Sequence, residues 1–241
     1  MELKDKIDSY KISDSAIELV RSTKIVLLVG VSGAGKDTIK HSLLETGDYH
    51  HIVSHVTRPP RNNNGVMEQD GVDYHFIDQA TANVMIDSQE YIEAKMYSGN
   101  VYGTSIAEIQ KAYDDGHIAL TDLDVQGVAE YKEISPSVIA IFILPPNYDE
   151  WQRRLHVRYG QAGADPADME RRMHAAIAEL EEALAKPYYH FVVNENLDEA
   201  IKAVNNIAHH DDEFTTIDTS FRVWAEKLLA DLRTGLASRQ N

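Results

Sequence analysis

Residues 24–38 read Lys24-Ile-Val-Leu-Leu-Val-Gly30-Val-Ser32-Gly33-Ala34-Gly35-Lys36-Asp37-Thr38. The continuous apolar run closed by Gly30 has the pattern of a strand buried on both faces, as in a parallel sheet. The glycines after it let backbone N–H groups turn inward around phosphate oxygens. A helix predicted over 36–44 points its N-terminus, the positive end of its dipole, at the same place. Lys36 adds a point charge for the outer phosphates of a nucleoside triphosphate. A glycine-rich turn alone needs no ligand. Strand, turn, lysine and helix in this order make a phosphate loop, with Gly30, Ser32, Gly33, Ala34, Gly35, Lys36, Asp37 and Thr38 as its binding residues. One position departs from the usual pattern. The residue after the lysine is ordinarily Ser or Thr, whose hydroxyl ligates magnesium. Here it is Asp37, followed by Thr38. A carboxylate can also ligate magnesium, but beside a polyphosphate it needs a metal or an arginine to offset its charge.

Outward from the loop, further buried-strand runs lie at 118–123, 138–144 and 190–194, with helical stretches around 105–115, 147–158 and 166–184. The last has Asp165 as N-cap and Pro166 at its first position. Met169, Met173, Ala176, Leu180 and Leu184 share one of its faces. Strands alternating with helices predict a three-layer α/β fold with a parallel central sheet, of the P-loop NTPase type. The block 55–104 breaks the rhythm. It holds short alternating pieces such as Tyr74-His-Phe-Ile77 and a turn-rich Asn62-Asn-Asn-Gly65, and it reads as a small, mostly β inserted subdomain. Residues 158–165, rich in Gly and Ala, read as a mobile loop. In the tail, Ile217, Phe221, Trp224, Leu228 and Leu232 recur at helical spacing, a stripe expected to pack on the parent domain.

Composition narrows the function. The chain has 241 residues and a formal net charge of −16, which argues against a broad nucleic-acid-binding face. No apolar run approaches the ~18 residues needed to cross a membrane, and Met-Glu-Leu-Lys-Asp-Lys opens no signal peptide. With no cysteine there is no disulfide or thiolate metal site. A cytoplasmic protein is the simplest reading. Nothing in the sequence selects between a monomer and a homo-oligomer. His209-His-Asp-Asp-Glu213 lacks a second ligand cluster and reads as a solvated linker.

Several separated motifs follow the loop: Ser54-His-Val-Thr-Arg58-Pro-Pro-Arg61, Gly71-Val-Asp-Tyr74, Tyr91-Ile-Glu93-Ala, Ser98-Gly-Asn-Val-Tyr102-Gly-Thr104, and Leu120-Thr-Asp122-Leu-Asp124-Val-Gln-Gly127. Pro145-Pro, Arg153-Arg154-Leu-His-Val-Arg158 and Arg171-Arg172 complete the set. Guanidiniums three residues apart, as at Arg58 and Arg61, can converge on one phosphate. Carboxylates at the end of an apolar strand, as at Asp122 and Asp124, can meet a ligand above a parallel sheet. Taken singly, each has a bland alternative: exposed arginines, a surface glutamate, an Asp that ends a strand.

In combination and order these motifs resemble guanylate kinase over about residues 24–209. The resemblance implies ATP and GMP as substrates, giving ADP and GDP, with Mg2+ accompanying ATP. It implies that Arg58, Arg61, Tyr74 and Tyr102 hold the GMP phosphate, while Ser54, Glu93, Thr104 and Asp124 contact the base. A carboxylate at Glu93 would accept from N1–H and the 2-amino group of guanine. Adenine would leave it unpaired, which selects strongly. Arg154 and Arg158 would lie over the ATP phosphates, Arg172 on the GMP side, and Asn194 near the adenine. Lys36, Arg58, Arg154 and Arg158 would be the catalytic set, with Asp37 and Asp122 at the metal, directly or through water. The implied organisation is an N-terminal extension (1–23), a kinase domain (24–209) with a GMP-binding subdomain (about 55–104) and a lid (about 154–172), and a helical tail (210–241). The usual Gly-Arg-Gly of the lid reads Val157-Arg158-Tyr159-Gly160, in a longer loop. Ribose 1,5-bisphosphate phosphokinases are an alternative, since they often carry Gly-Lys-Asp in the loop. They generally lack counterparts of Arg61, Glu93 and the Asp122–Gly127 motif. A non-catalytic guanylate-kinase-like interaction module would typically have lost the phosphate loop.

Overall fold

The computed structural model describes residues 2–63, 65–159, 165–210 and 219–239. In chain order the elements are α1 (Leu3–Asp8), α2 (Asp14–Ser22), β1 (Ile25–Val29), α3 (Lys36–Leu44), β2 (Tyr49–His51), β3 (His55–Val56), β4 (Asn62–Asn63), β5 (Val66–Met67) and β6 (His75–Phe76). There follow α4 (Gln79–Asp87), β7 (Tyr91–Tyr97), β8 (Asn100–Ser105), α5 (Ile106–Asp115), β9 (Ile118–Asp122) and α6 (Val125–Ile134). The chain continues with β10 (Ile139–Leu144), α7 (Tyr148–Tyr159), α8 (Pro166–Ala185), β11 (Tyr189–Val193), α9 (Leu197–His210) and α10 (Thr219–Arg239).

The chain divides into two compact units. The first holds the residues up to Ile25, then Asp48–Thr121 and Glu130–Ser137. In it β2 runs parallel to β9, with Tyr49 opposite Ile118. A four-stranded sheet in the order β6-β3-β8-β7 carries the inserted block. Helix α4 starts where Asp78 accepts from the Thr81 N–H at 2.7 Å, an N-cap that satisfies one of the helix's free donors. It buries Ala82, Met85 and Ile86 against Ile7, Tyr91 and Val101. Helix α5 stops at Gly116, whose φ of +68° is the left-handed cap that a residue with a Cβ resists.

The second unit holds Val26–Gly47, Asp122–Ala129 and the residues from Val138 onward. Strands β1, β10 and β11 are parallel, with Leu28 opposite Ile141 and Phe142 opposite Phe191. Every residue of β1 and β10 is buried, which is why both read as unbroken apolar runs. On α8, Met169, Met173, Ala176 and Leu180 are buried as the spacing predicts. Leu184 is only half-buried, and Ala183 takes the inner position instead. Helix α10 packs on α8, α7 and β11. Its inner face is Ala225, Leu228, Leu229 and Leu232. Trp224, expected on that face, is 41% exposed, because the next residue, Ala225, takes the inner position. Ile217, Gly160 and Asp211–Glu213 lie outside the described residues. Among the described residues no helix is long and apolar enough to cross a membrane.

Candidate functional site

The phosphate loop lies between β1 and α3. Gly30 has φ +140° and sits so close to the backbone carbonyl of Ile143 on β10 that a Cβ would collide with it. Gly35 has φ +97° as the N-cap of α3, and a Cβ there would strike the Asn194 amide. That amide donates to Ala34 O at 2.8 Å, so Asn194, just after β11, holds the loop. Trp151, buried on α7, donates its indole N–H to Ser32 O at 2.9 Å. The Lys36 ammonium donates to Gly30 O.

An open cleft of about 540 Å3 adjoins the loop. Its walls are Gly33, Gly35, Asp37, Thr38, Arg154, Arg158 and Asn194, completed by Glu195 and Leu197. This size suits one nucleotide. Every residue in the first group is one the sequence marks for ATP. Arg154 is braced in three directions: Nε donates to Glu150 Oε1 at 2.8 Å, Nη2 to Asn194 O at 2.9 Å and Nη1 to Ala34 O at 3.4 Å. Hydrogen bonds from Arg153 and Arg154 hold the Glu150 carboxyl down at about 2. Arg158 lies 3.4 Å from Asp37, the arginine that the unusual carboxylate calls for. At the end of β9, Asp122 Oδ1 pairs with Lys40 Nζ at 2.5 Å. Burial pushes the Asp122 carboxyl up, but Lys40 and Lys36 outweigh it and hold it below the usual range. Asp124 turns back to cap α6, accepting from Gly127 N–H at 2.7 Å. Arg172 donates to Asp168 at 2.6 Å, one helical turn away on α8.

The first unit gathers the residues assigned to the acceptor. Arg58 is 7% exposed. Its Nε donates to the Tyr102 hydroxyl at 3.2 Å, and its guanidinium stacks 5.0 Å from the Tyr74 ring centroid. Nη1 and Nη2 donate to Glu68 at 2.5 and 2.9 Å, a two-pronged pair. Hydrogen bonding to Arg58 pulls the Glu68 carboxyl below its ordinary value. Glu68 also accepts from the Arg61 backbone N–H at 2.8 Å, while the Arg61 residue itself is exposed. Ser54, half-buried between β2 and β3, fixes β6 by accepting at its carbonyl from His75 N–H, 2.9 Å away. Glu93 on β7 faces Thr104 on β8. Its Oε1 accepts from the Thr104 N–H at 3.1 Å and hydroxyl at 2.9 Å. Burial pushes its carboxyl up to about 7, against the pull of Thr104 and Lys95.

The sequence reading missed Glu68, Glu150, Lys40 and Glu179. Glu150 was legible as the residue four before Arg154 on a helix. Lys40 was legible in the same way, one turn after Lys36. Glu68 sits in a turn-rich stretch with no periodicity to mark it. Glu179 on α8 has its carboxyl raised by burial, Lys36 drawing it back down. Its Oε2 is buried without a hydrogen-bond partner, which no sequence pattern signals.

Comparison with known proteins gives one family. A model described as guanylate kinase matches residues 22–211. A protein of Thermus thermophilus described as guanylate kinase is 35% identical over 179 residues, 74% of this chain and 77% of that one. One of Syntrophotalea carbinolica, with the same description, is 35% identical over 189 residues, 78% of this chain and 85% of that one. The crystal structure of guanylate kinase from Anaplasma phagocytophilum superposes with a TM-score of 0.58 at 27% identity, covering 81% of this chain and 88% of that one.

Proposed function

The chain belongs to the guanylate kinase family, and from that premise we infer that it transfers the γ-phosphoryl group of ATP to GMP, giving ADP and GDP. The observation that carries the reading in the residues is the joint presence of two sets. One is the phosphate-loop cleft with Arg154, Arg158 and Asn194 on its wall. The other is the Arg58–Tyr74–Tyr102 cluster with Glu93 on Thr104. A sugar-phosphate kinase has no use for a half-buried carboxylate poised to read a base.

The transfer asks little covalent chemistry of the protein. Its work is alignment and the neutralisation of two anions brought together. The loop N–H groups and Lys36 take the β- and γ-phosphates, and Arg154 and Arg158 spread the charge of the transferring group. Arg58, with Arg61, Tyr74 and Tyr102, orients the GMP phosphate. Ser54, Glu93, Thr104 and Asp124 read the guanine, and Arg172 joins the GMP side. No general base is required, because a nucleoside monophosphate is largely dianionic near pH 7.

For magnesium, the donors at the loop are hard oxygens, as that ion prefers. Asp37 and Thr38 line the cleft, and Lys40 and Lys36 hold Asp122 ionised at the end of β9. Asp37 and Asp122 would hold the ion, directly or through water. It would supply charge neutralisation at the β- and γ-oxygens.

Lys36→Ala tests the loop assignment. Transfer should be lost while GMP still binds by calorimetry; retained activity contradicts the assignment.

A further inference from the structure

Strand β7 forms the edge of its sheet, and an edge strand leaves one row of backbone N–H and C=O groups without a neighbouring strand. At Tyr91 both groups are engaged by a side chain from the N-terminal segment. The Tyr10 hydroxyl donates to Tyr91 O at 2.5 Å and accepts from Tyr91 N–H at 3.1 Å. Immediately beyond, β7 is bulged. Tyr91 lies opposite Ser105 and Glu93 opposite Thr104, so two steps on β7 face one step on β8. A bulge re-aims the side chain next to it. Here that side chain is Glu93, whose carboxylate lands on Thr104.

Tyr10 is itself held from several sides. Its N–H donates to Ile7 O at 3.1 Å, and Ile7 is buried in the cluster that contains Tyr91. Lys6 on α1 pairs with Asp87 at the end of α4 at 2.6 Å. Gln89, just before β7, donates to Lys11 O at 3.2 Å. The family match begins at residue 22, so Lys6, Tyr10 and Lys11 lie outside it.

We propose that Tyr10 is a positioning residue for base recognition: by holding both backbone groups of Tyr91 it fixes the bulge that aims Glu93 at the guanine. The inference rests on the reading of Glu93 as the residue that accepts from N1–H and the 2-amino group. A merely structural extension would alter the melting temperature and leave the substrate constants of the folded enzyme alone. A positioning residue alters KM for GMP and the preference for GMP over IMP, which lacks the 2-amino group.

The test is steady-state kinetics of the full chain with GMP and with IMP, comparing wild type, Tyr10→Phe, Lys6→Ala and Glu93→Gln. Tyr10→Phe should raise KM for GMP about threefold to tenfold, the range for one lost hydrogen-bonded anchor. It should narrow the GMP-to-IMP preference and leave kcat and KM for ATP unchanged. Lys6→Ala, which loosens the same brace from α1, should move both quantities in the same direction and less far, and it serves if Tyr10→Phe does not fold. Wild-type values in the folded variants, with Glu93→Gln impaired, overturn the role of Tyr10 and leave that of Glu93 standing. A Glu93→Gln enzyme with wild-type GMP kinetics removes the reading of Glu93, and the inference falls with it.

Discussion

Arg158 Nη2 stands 3.4 Å from Asp37 Oδ2 at the mouth of the phosphate-loop cleft, and each side chain is about half exposed, at 49% and 53%. The pair accounts for the one loop residue that departs from the usual pattern. A carboxylate beside a polyphosphate needs a positive partner, and the chain provides one from α7. Solvent screening at this exposure makes the pair worth little to stability, about 0–1 kcal/mol. Asp37→Ala should therefore leave the melting temperature within a few degrees of wild type, roughly what 1 kcal/mol produces in a chain this long. The same variant should need several-fold more magnesium for half-maximal activity, read by a magnesium titration. Wild-type magnesium dependence would remove Asp37 from the metal's surroundings.

Glu68 and Arg58 form a pair of a different kind, with side chains only 8% and 7% exposed. Removing one partner of a buried pair leaves the other uncompensated, which costs more than the pair contributes. Glu68→Ala should lower stability by about 2 kcal/mol, measured by urea unfolding. It should also raise KM for GMP, since Arg58 loses the carboxylate that orients it beside Tyr74 and Tyr102. Unchanged unfolding would show that solvent reaches the pair.

Glu93 must be ionised to accept two hydrogen bonds from guanine, and burial holds its carboxyl at about 7. The ionised fraction rises with pH through that value, so GMP affinity should strengthen between pH 6 and 8. GMP's own phosphate titrates near pH 6, and Glu93→Gln supplies the control. The amide variant should bind GMP about 10-fold to 100-fold more weakly, the cost of leaving buried polar groups mismatched. Its remaining pH dependence should be that of the phosphate alone, and KM for ATP should be unchanged. A wild-type pH profile in the variant would assign the titration elsewhere.

The contrast between these residues shows what sequence patterns carry. The strand at 25–29 and the loop after it were legible because buried parallel strands and phosphate loops each impose a local pattern. Helix α3, expected over about 36–44, spans Lys36–Leu44, because Gly35 and Lys36 mark its start. Helices α1, α2, α4, α6 and α9 are not among those the sequence predicts. Helices α4 and α6 run only nine and ten residues, under three turns in which a periodicity can show. The acceptor residues were recognisable only as a set, because Arg58, Tyr74 and Tyr102 come from separate segments and meet through tertiary folding. Their partner Glu68 was invisible for the same reason. Tyr10 lies far from every motif, and only the pairing of β7 with β8 gives its hydroxyl a consequence.

The identity of the acceptor defines this enzyme. ADP release measured with ATP and each of GMP, dGMP, AMP, CMP, UMP and ribose 1,5-bisphosphate tests it most directly. Turnover should be seen with GMP and more weakly with dGMP, and rates with the other acceptors should be lower by orders of magnitude. Preferred turnover of ribose 1,5-bisphosphate, or equal turnover of AMP and GMP, would contradict it.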